Sequence, residues 1–560
     1  MSDKLKIYCK NIDQYVEIQG GETLLDIAKR IDLGFEPICA RVNNKNENLG
    51  FPVFTPKQVE YLSIFTSSGE RAYIRSLCMI LYKAVENVCP QYHLRIAHYI
   101  SRGYYCHLVA DGESYEPLDI PDQTIEDIKA EMRRIVDSDL PLQRKERLTA
   151  DAIEIFKKQG LTNKVKLLET TRQLYTIYYK LDGLCDSFYS TLAPSTGYMR
   201  TFDLIPYKRG MLLMSFDYSH PEVPVKPVPQ EKMYEAFKRY LEFNNILGVR
   251  NVGELNQVVI DKKSTILINV AEALHEKYLS RISDEIARRY DEGGARIVLL
   301  AGPSSSGKTT TCKRIAVQLM TNLLWPQMIS LDDYFVDREH TPRDENGEYD
   351  YESLYALDLK QFNSDLCDIL AGKEVELPYY NFQTGKREYR GHKIKLEDRS
   401  VLLIEGIHGL NPELTASIEE KMKYRIFVSA LTTLSIDDHN WISASDNRLL
   451  RRIIRDNQYR NSNAEDTLHR WPSVRQGEEK WIVPYQENAD AMFNSSLLFE
   501  LGVIKTTAEA LLERVPRDVP EYSEACRLRT LLSYFLPIEQ VNIPSTSLLR
   551  EFVGGSSFEY

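Results

Sequence analysis

The chain has 560 residues, of which 43% are hydrophobic and 27% charged, and its 81 acidic and 70 basic side chains give a net charge of −11. This length predicts several domains with sizeable cores. The acidic balance argues against non-specific binding to a nucleic-acid backbone, although it leaves room for a local basic face. The nine cysteines are scattered without a CxxC pair, which favours buried thiols in a reducing compartment. Neither a signal-peptide core nor a membrane-length apolar stretch is present, and we therefore expect a cytoplasmic protein without a membrane partner.

Residues 1–65 have the pattern of a small β-rich domain. Short strands are predicted at 5–8, 15–18, 38–42 and 59–64. Thr23 can cap a helix whose apolar positions are Leu24, Leu25, Ile27, Ala28 and Ile31. A hairpin, a helix and further strands follow a β-grasp order. The phrase G-G-E-T-L-L-D-I-A resembles the TGS domain, a ubiquitin-like module found at the front of threonyl-tRNA synthetase and some GTPases.

Residues 66–225 are predicted to form an α+β domain, with a helix at 71–88 and a capping box at 124–127 that opens a second helix. The phrases H-Y-I-S-R-G-Y-Y-C and C-D-S-F-Y-S-T-L-A-P-S-T-G-Y resemble the second additional domain of threonyl- and alanyl-tRNA synthetases. In those families His-x3-His and Cys-x3-His pairs clear mischarged tRNA. Here no histidine precedes His93, and the second pair survives only as Cys185-x3-Tyr189. We therefore expect this domain to lack editing activity. A packing role against the neighbouring domain is favoured over binding of a small molecule or RNA.

Four prolines in S-H-P-E-V-P-V-K-P-V-P-Q, residues 219–230, indicate a linker. Amphipathic stretches at 231–243 and 268–290 predict a helical connector over residues 226–290. We expect this connector to lead into the next domain without chemistry of its own.

Residues 296–311 read R-I-V-L-L-A-G-P-S-S-S-G-K-T-T-T, a short apolar strand followed by the spacing of a phosphate-binding loop. Glycines let successive backbone N–H groups point at phosphate oxygens. Lys308 is expected to reach the β- and γ-phosphates, and the Thr309 hydroxyl to bind Mg²⁺. The segment from Thr310 to Met320 has helical spacing, and the positive end of such a helix favours phosphate. The strand–loop–helix context predicts that a nucleoside triphosphate binds here.

Three more apolar strands, at 328–331, 401–404 and 425–428, predict a doubly wound parallel sheet in an α/β domain over residues 291–510. Ligands of such sheets lie beyond the carboxyl ends of the strands. Asp332 follows one strand and is our candidate for the catalytic base, whereas Asp333 is expected to cap a turn. Glu405 ends another strand and is our candidate Mg²⁺ ligand.

A cluster of arginines follows in N-R-L-L-R-R-I-I-R-D-N-Q-Y-R, residues 447–460. Arg448, Arg452 and Arg455 share one helical face. The neighbouring phosphate loop favours a lid whose guanidinium groups close on the transferred phosphoryl group over a merely solvated helix.

Six phrases in order resemble uridine/cytidine kinases of the phosphoribulokinase/uridine kinase superfamily: G-P-S-S-S-G-K-T, S-L-D-D-Y-F, L-P-Y-Y-N-F, V-L-L-I-E-G-I-H, R-L-L-R-R-I-I-R-D and Y-Q-E-N-A-D-A-M-F. The resemblance implies an ATP- and Mg²⁺-dependent nucleoside kinase. It implies ATP binding by Gly302, Pro303, Ser304, Ser305, Ser306, Gly307, Lys308, Thr309, Thr310 and Arg460. It implies substrate binding by Asp332, Glu352, Tyr380, Phe382 and Arg452, catalysis by Asp332, Lys308 and Arg455, and metal binding by Thr309 and Glu405.

Three departures from the family pattern lie near the acceptor. Gly385 stands close to the place of a histidine that contacts the pyrimidine, Ser462 replaces a further lid arginine, and Glu352 is longer than the family's aspartate. These differences leave the phosphoryl-transfer residues in place and open the question of which base is bound.

Residues 511–560 are predicted to be a C-terminal appendix with a helix through Leu528, Leu531, Leu532 and Phe535, and either a packing arm or a loop near the site. The sequence thus predicts a kinase that converts a nucleoside, uridine or cytidine first, to its 5′-monophosphate. The alternatives are a kinase for another nucleoside or a sugar alcohol, and a nucleotide-gated regulator that contacts RNA or tRNA through the first two domains. The oligomeric state is left open.

Overall fold

The computed structural model describes residues 4–111, 115–344 and 347–559. Its strands are β1 (Lys4–Cys9), β2 (Gln14–Gln19), β3 (Glu22–Thr23), β4 (Cys39–Val42), β5 (Lys45–Asn48), β6 (Pro52–Val53), β7 (Gln58–Leu62), β8 (His93–Ile100), β9 (Gly103–Val109), β10 (Gln143–Leu148), β11 (Tyr175–Leu181), β12 (Leu184–Asp186), β13 (Asp203–Tyr207), β14 (Gly210–Met214), β15 (Ile297–Ala301), β16 (Trp325–Ser330), β17 (Val375–Asn381), β18 (Lys386–Ile394), β19 (Ser400–Glu405), β20 (Lys423–Ser429) and β21 (Ala491–Asn494). Its helices are α1 (Leu24–Ala28), α2 (Ser67–Val88), α3 (Asp122–Asp137), α4 (Thr149–Lys158), α5 (Thr162–Thr170), α6 (Glu231–Leu247), α7 (Val252–Ile260), α8 (Ser264–Asp291), α9 (Lys308–Thr321), α10 (Leu359–Leu370), α11 (Ala444–Tyr459), α12 (Ala464–Trp481), α13 (Glu500–Glu513), α14 (Tyr522–Ser533) and α15 (Arg550–Val553).

The first sheet has the order β2-β1-β7-β4-β5, in which β1 and β7 are parallel and the other pairs antiparallel. The Thr23 hydroxyl accepts the N–H of Asp26 at 3.2 Å and caps α1, as predicted. The helix ends at Ala28, one turn before Ile31. Its apolar side closes a small core made of Ile7, Ile18, Leu24, Ile27 and Val59.

The next region packs α2 against α3 and carries two antiparallel sheets, of order β10-β11-β12 and β13-β14-β9-β8. The capping box predicted at Thr124 and Asp127 is wrong. The chain enters α3 through Pro121, which is extended and makes no side-chain cap, and the helix has already begun at Asp122. Because proline fixes its own φ and supplies no N–H, it can lead into the helix three residues earlier than the box would.

The connector contains α6 and α8, which the sequence predicted, and α7, which it did not. The side chain of Asn251 caps α7 by accepting the N–H of Glu254 at 3.0 Å. The proline-rich residues 219–230 before α6 form neither helix nor named strand, in agreement with the prediction of a linker.

The sheet of the α/β domain is parallel throughout, with the order β16-β19-β15-β20-β21. Alternate residues of β15 and β19 enter two different cores. One core, containing Ile297 and Leu402, is covered by α10; the other, containing Val298 and Val401, is covered by α8 and α9. Both faces are buried, which confirms the prediction of a doubly wound parallel sheet.

The segment between β20 and α11 packs against the region of residues 66–225 through buried charges. Lys164 lies 2.5 Å from Asp186 and 3.0 Å from Asp437, and His439 Nδ1 lies 2.7 Å from Asp186. All four side chains are almost fully buried. We call Lys164, Asp186, Asp437 and His439 the interface cluster. The Arg75 guanidinium, stacked 3.6 Å over the Trp441 ring, extends the same contact.

The last 50 residues join the α/β domain rather than standing apart. Leu528, Leu531 and Leu532 of α14 share a core with α11 and α13. The chain then continues as residues 536–559, which we call the C-terminal arm, and returns to α9. No helix in the described part of the chain is both long and apolar enough to cross a membrane.

Candidate active site

The phosphate loop lies between the end of β15 at Ala301 and the start of α9 at Lys308. Ser305 and Gly307 have positive φ angles of 58° and 80°, which curl the backbone. A Cβ on Gly302 would lie 2.0 Å from the carbonyl oxygen of Val428, so only glycine lets the loop leave the sheet so close to β20. The hydroxyls of Ser305 and Ser306 are buried and meet no hydrogen-bond partner among the described residues. Such a curled loop with unsatisfied donors fits a bound phosphate.

Lys308 and Thr309 begin α9 directly after this loop. The Lys308 ammonium donates to the carbonyl oxygen of Pro303 at 3.2 Å, and the Thr309 hydroxyl donates to Glu405 Oε1 at 3.1 Å. A hydroxyl and a carboxylate side by side are the hard oxygen donors that Mg²⁺ prefers, usually completed by phosphate oxygens and water. The residues present therefore fit the metal that the sequence predicted at Thr309 and Glu405.

Three carboxylates surround Lys308, and we call Asp332, Glu352 and Glu405 the carboxylate cluster. Burial lowers the pKa of Lys308, and the cluster opposes this by stabilising the ammonium. Burial raises the pKa of Glu405 to about 7, with Lys308 acting in the other direction and Asp332 adding to the rise. Glu405 is thus a carboxylate that lacks a full positive counterpart, which is the state that a bound cation would relieve.

Asp332 and Asp333 lie in a 3-10 turn, Leu331–Tyr334, at the end of β16. The Ser330 hydroxyl caps the turn by accepting the N–H of Asp332, and the Asp332 residue itself is exposed toward the phosphate-loop edge of the sheet. Asp333 does not cap the turn as predicted. Its carboxylate accepts the N–H of Tyr380 at 3.3 Å and so fastens β17 beside the site.

Glu352 precedes the 3-10 turn Leu354–Ala356, and its Oε2 is buried with no partner in the described parts of the chain. A Cβ on Gly477 of α12 would lie 2.4 Å from the Glu352 Cβ, so the glycine makes room for the longer acid. Burial raises the pKa of Glu352 to about 7; Glu478 adds to the rise and Arg452 opposes it. A strongly perturbed carboxylate in such a place is a candidate for function.

Two of the arginines in α11 serve the fold. Arg448 is buried in a bidentate pair with Glu478, and Arg451 in one with Glu500. Both also donate to the phosphate loop, Arg448 to the carbonyl oxygen of Ser304 at 3.2 Å and Arg451 to that of Ser305 at 3.4 Å. The prediction that Arg448 closes on the phosphoryl group is therefore wrong, because its partner Glu478, on α12, neutralises it.

The other arginines of the cluster face the loop and the carboxylates. Arg452 donates to the Ser304 hydroxyl at 2.8 Å. Arg452, Arg455 and Arg460 all lie beside the Asp456 carboxylate, at 3.2, 2.9 and 3.6 Å. One buried aspartate thus gathers the three guanidinium groups that the sequence assigned to substrate and phosphate.

The predicted acceptor residues Tyr380 and Phe382 lie on and just after β17. Their rings are 5.0 Å apart, and Phe335 lies 5.5 Å from Tyr380 and 6.1 Å from Phe382. Tyr380 is buried, whereas 57% of Phe382 is exposed. Asp333, which accepts the N–H of Tyr380, directly follows the candidate base Asp332 in the chain. The aromatic cluster therefore lies beside the candidate base.

The C-terminal arm reaches the phosphate loop. A Cβ on Gly307 would lie 2.7 Å from the Leu548 side chain, so Leu548 packs directly on the loop. Glu551 accepts a hydrogen bond from Thr310 in the first turn of α9. The Phe552 ring lies 5.1 Å under the Arg451 guanidinium. The arm therefore packs and also lies next to the site, the two roles that the sequence had set against each other.

Sequence reasoning missed several residues that shape this site: Asp456, Glu478, Glu500, Leu548 and Glu551. Asp456 follows Arg455 directly, and that adjacency was the only sequence pattern that pointed to it. The others come from α12, α13 and the arm. Glu478 and Glu500 lie 30 and 49 residues from the arginines that they bind. Leu548 and Glu551 each lie 241 residues from their partners, Gly307 and Thr310.

Comparison with known proteins places the similarity in the α/β domain. Residues 297–497 match the model of the Phosphoribulokinase / Uridine kinase family. Uridine-cytidine kinase B of Dictyostelium discoideum is 28% identical over 197 residues, which cover 35% of this chain and 73% of that protein. Uridine kinase of Staphylococcus aureus is 26% identical over 221 residues, 39% of this chain and 97% of that protein.

Two solved structures also match in part. A possible uridine kinase from Bacillus stearothermophilus covers 38% of this chain and 98% of its own, with 18% identity and a TM-score of 0.26. D-glycerate 3-kinase from Cryptococcus neoformans covers 48% of this chain and 89% of its own, with 14% identity and a TM-score of 0.21. Together with the parallel sheet and the loop geometry, the family match and the curated relatives support a P-loop phosphotransferase in residues 297–497, the part of the chain that is similar to the Phosphoribulokinase / Uridine kinase family.

Proposed function

We propose that this protein is a kinase that uses ATP and Mg²⁺ to phosphorylate the 5′-hydroxyl of a nucleoside, with uridine or cytidine as substrate. The observation that carries the proposal is the convergence of the carboxylate cluster and Arg455 on Lys308, at the start of α9, with Arg452 beside Glu352. Phosphoryl transfer needs a positioned base, a metal ligand and cations for the developing charge, and these are the groups that meet here.

Each residue has a distinct proposed task. The loop from Gly302 to Thr310 binds the triphosphate, and Arg460, directly after α11, contacts it. Lys308 and Arg455 balance the charge that develops on the phosphoryl oxygens. Mg²⁺, held by Thr309 and Glu405, would neutralise the β- and γ-phosphates.

The acceptor is oriented by Glu352 and Arg452, which would hold its ribose hydroxyls, and by the rings of Tyr380 and Phe382. Asp332 takes the proton of the 5′-hydroxyl as the oxygen forms its bond to the γ-phosphorus. The bond from that phosphorus to the bridging oxygen breaks, and ADP leaves. The side chains that act on the reacting atoms come from the ends of three strands and from α11. Elements on several sides are needed because the attacking oxygen, the phosphorus and the leaving oxygen must be held in line.

Two experiments test the proposal. In the first, the native protein is incubated with labelled ATP and a panel of nucleosides and sugar alcohols. In the second, the turnover of the Asp332→Asn variant is compared with that of the native protein. We expect a nucleoside 5′-monophosphate from the native protein. In the variant, turnover should fall by about 10²–10⁴-fold, the contribution of a general base, while ATP binding is unchanged. Glu339→Gln, an exposed acid in the following 3-10 turn, is the matched control. If the native protein phosphorylated only a sugar alcohol, the nucleoside assignment would be wrong; full turnover by the variant would exclude Asp332 as the base.

For residues 1–65 and 66–225 we propose a TGS-like β-grasp domain and a domain like the second additional domain of tRNA synthetases, without editing activity. The hairpin–helix–sheet order of residues 1–65 supports the first assignment. The absence of editing activity is supported by Cys185, which is buried beside the interface cluster, and by Tyr189, whose hydroxyl donates to the carbonyl oxygen of Trp441. A gel shift with total tRNA tests the alternative of an RNA-binding regulator. A shift at low protein concentration would favour that alternative.

A further inference from the structure

The acceptor side of the site contains an arginine that sequence reasoning did not single out. Arg338 begins the 3-10 turn Arg338–His340, and its backbone N–H donates to the carbonyl oxygen of Gly385 at 2.8 Å. Its guanidinium donates from Nη2 to the carbonyl oxygen of Phe382 at 2.6 Å. Both contacts fix Arg338 against the turn that joins β17 and β18, next to the aromatic cluster of Phe335, Tyr380 and Phe382.

Gly385 leaves the space that Arg338 fills. A Cβ at position 385 would lie 2.8 Å from Arg338 Nε and 2.9 Å from its Cβ and Cζ. Any side chain there would have to displace the guanidinium. The absence of a side chain at 385 and the presence of a cation at 338 are therefore one structural feature, which the sequence shows only as two unrelated residues.

The guanidinium of Arg338 is left partly unsatisfied at this place. Arg338 Nε is buried and meets no hydrogen-bond partner within the described ranges, and the Tyr380 hydroxyl is buried beside this side chain. Among those residues Arg338 also has no acidic partner within salt-bridge distance, and the nearby Asp337 accepts the backbone N–H of Arg387 instead. Burial raises the pKa of Tyr380, and the positive charge of Arg338 opposes the rise, which shows that the two side chains are neighbours. Buried polar groups without partners in a site are commonly those that a ligand satisfies.

A guanidinium can only donate hydrogen bonds. A substrate group facing Arg338 must therefore be an acceptor, and an amino group in the same position would leave two donors opposed and desolvated. Since the proposed substrates uridine and cytidine differ in a keto oxygen against an amino group at C4, this distinction decides between them.

We infer that Arg338 is a specificity-determining residue of the acceptor site, which selects a nucleoside with a keto oxygen at the distal edge of its base, uridine over cytidine. The inference rests on the proposed nucleoside kinase activity and narrows its substrate. Arg338 acts by donating to the keto oxygen, with the Tyr380 hydroxyl as its neighbour. The rings of Phe335 and Phe382 supply apolar surface for the base.

The test compares kcat/KM for uridine, cytidine and 2-pyrimidinone riboside, which carries only hydrogen at C4. We expect the native protein to prefer uridine over cytidine by about tenfold or more, with the riboside between them. Arg338→Met should bring the uridine-to-cytidine ratio close to one, mainly through loss of activity on uridine. Arg390→Met removes an exposed arginine of the same hairpin and should leave the ratio unchanged.

A second pair of variants moves the guanidinium without removing it. Gly385→Ala places a methyl group against Arg338 and should lower the ratio as Arg338→Met does. Gly391→Ala has a similar positive φ, 78° against 69°, but nothing lies within 4 Å of its added methyl group, so it controls for backbone strain. Equal kcat/KM for uridine and cytidine in the native protein, or an unchanged ratio in Arg338→Met, would overturn this inference alone. Failure to phosphorylate any nucleoside would overturn the proposed function and the inference with it.

Discussion

The interface cluster and the carboxylate cluster both contain buried charged side chains, and the pKa values of their acids are shifted in opposite directions. In the interface cluster every charge faces an opposite one, since Lys164 lies between Asp186 and Asp437, and His439 bonds to Asp186. Burial alone would raise the pKa of Asp186, but Lys164 and His439 outweigh it and hold the pKa below its usual range. In the carboxylate cluster, Glu352 and Glu405 have a pKa raised to about 7.

This difference in pKa shift indicates that the interface cluster stabilises the fold, whereas the carboxylate cluster is a site for a cationic ligand. A buried pair that is fully compensated contributes to the packing of two regions, and it is costly to break. Acids left partly uncompensated destabilise the free protein and are tolerated where function needs them. Removing a charge should therefore have opposite effects on stability in the two clusters. Three predictions follow in order of their expected effect on the free energy of unfolding.

Lys164→Met should destabilise the protein by about 3–5 kcal/mol, because it leaves two buried aspartates without their cation. The measurement is denaturant-induced unfolding near neutral pH, followed by a probe in each half of the chain. The stabilisation by Asp186 is present above its unfolded pKa and is lost as the pH falls through its lower folded pKa. Lys166→Met, a half-exposed lysine of the same helix, is the control and should have little effect. Equal stability of Lys164→Met and the native protein would show that the cluster does not hold the two regions together.

Leu548→Ala should destabilise the region around the phosphate loop by about 2–4 kcal/mol, since Leu548 is fully buried and packs on Gly307. We also expect a higher KM for ATP, because the loop loses its support from the C-terminal arm. Thermal unfolding and steady-state kinetics measure the two effects. Val541→Ala, where 77% of the side chain is exposed, should change neither. A lower KM for ATP in Leu548→Ala would mean that the arm obstructs the nucleotide instead of supporting its loop.

Glu405→Gln should have the smallest effect on stability and the opposite sign. With a folded pKa of about 7, Glu405 binds more protons in the folded than in the unfolded state between its ordinary pKa near 4.5 and pH 7. The native protein therefore loses stability as the pH rises through this window. Because Glu405→Gln has no ionisable group at this position, its stability does not fall in this pH window. We therefore expect it to melt a few degrees higher than the native protein at pH 8 and at nearly the same temperature near pH 4.5.

The same variant should lose most of its Mg²⁺-dependent activity, so stability and activity change in opposite directions. Lower stability of Glu405→Gln at pH 8 would contradict the view that this carboxylate is uncompensated in the free protein. Glu397→Gln, an acid outside the carboxylate cluster that lies shortly before β19, controls for the loss of a negative charge in the same domain.

Much of the donor side of the site was predictable because its residues are close together in the chain. The loop from Gly302 to Thr309 joins a strand directly to a helix, and this local geometry needs glycine and small residues at fixed spacing. Asp332 and Glu405 could be found as acids that follow apolar strands, since the carboxyl ends of parallel strands meet at one edge. The parallel sheet itself followed from alternating apolar strands and helices.

Other features needed contacts between residues far apart in the chain. Arg448 and Arg452 look alike on one helical face, but Glu478 on α12 neutralises the first, whereas the second contacts Ser304. The helix α3 began earlier than its capping box because a preceding proline set the entry of the chain. Pairing with Glu478 depends on packing between helices, which no local pattern records.

By itself, then, the sequence determined the phosphate loop, the parallel sheet and the acids at its edge, because spacing along one strand, loop or helix decides them. The tertiary structure decided which buried charges are compensated, where the C-terminal arm lies and that Arg338 fills the space left by Gly385. These features depend on the electrostatics and packing of groups that come from distant parts of the chain, and only folding brings them within a few ångströms of one another.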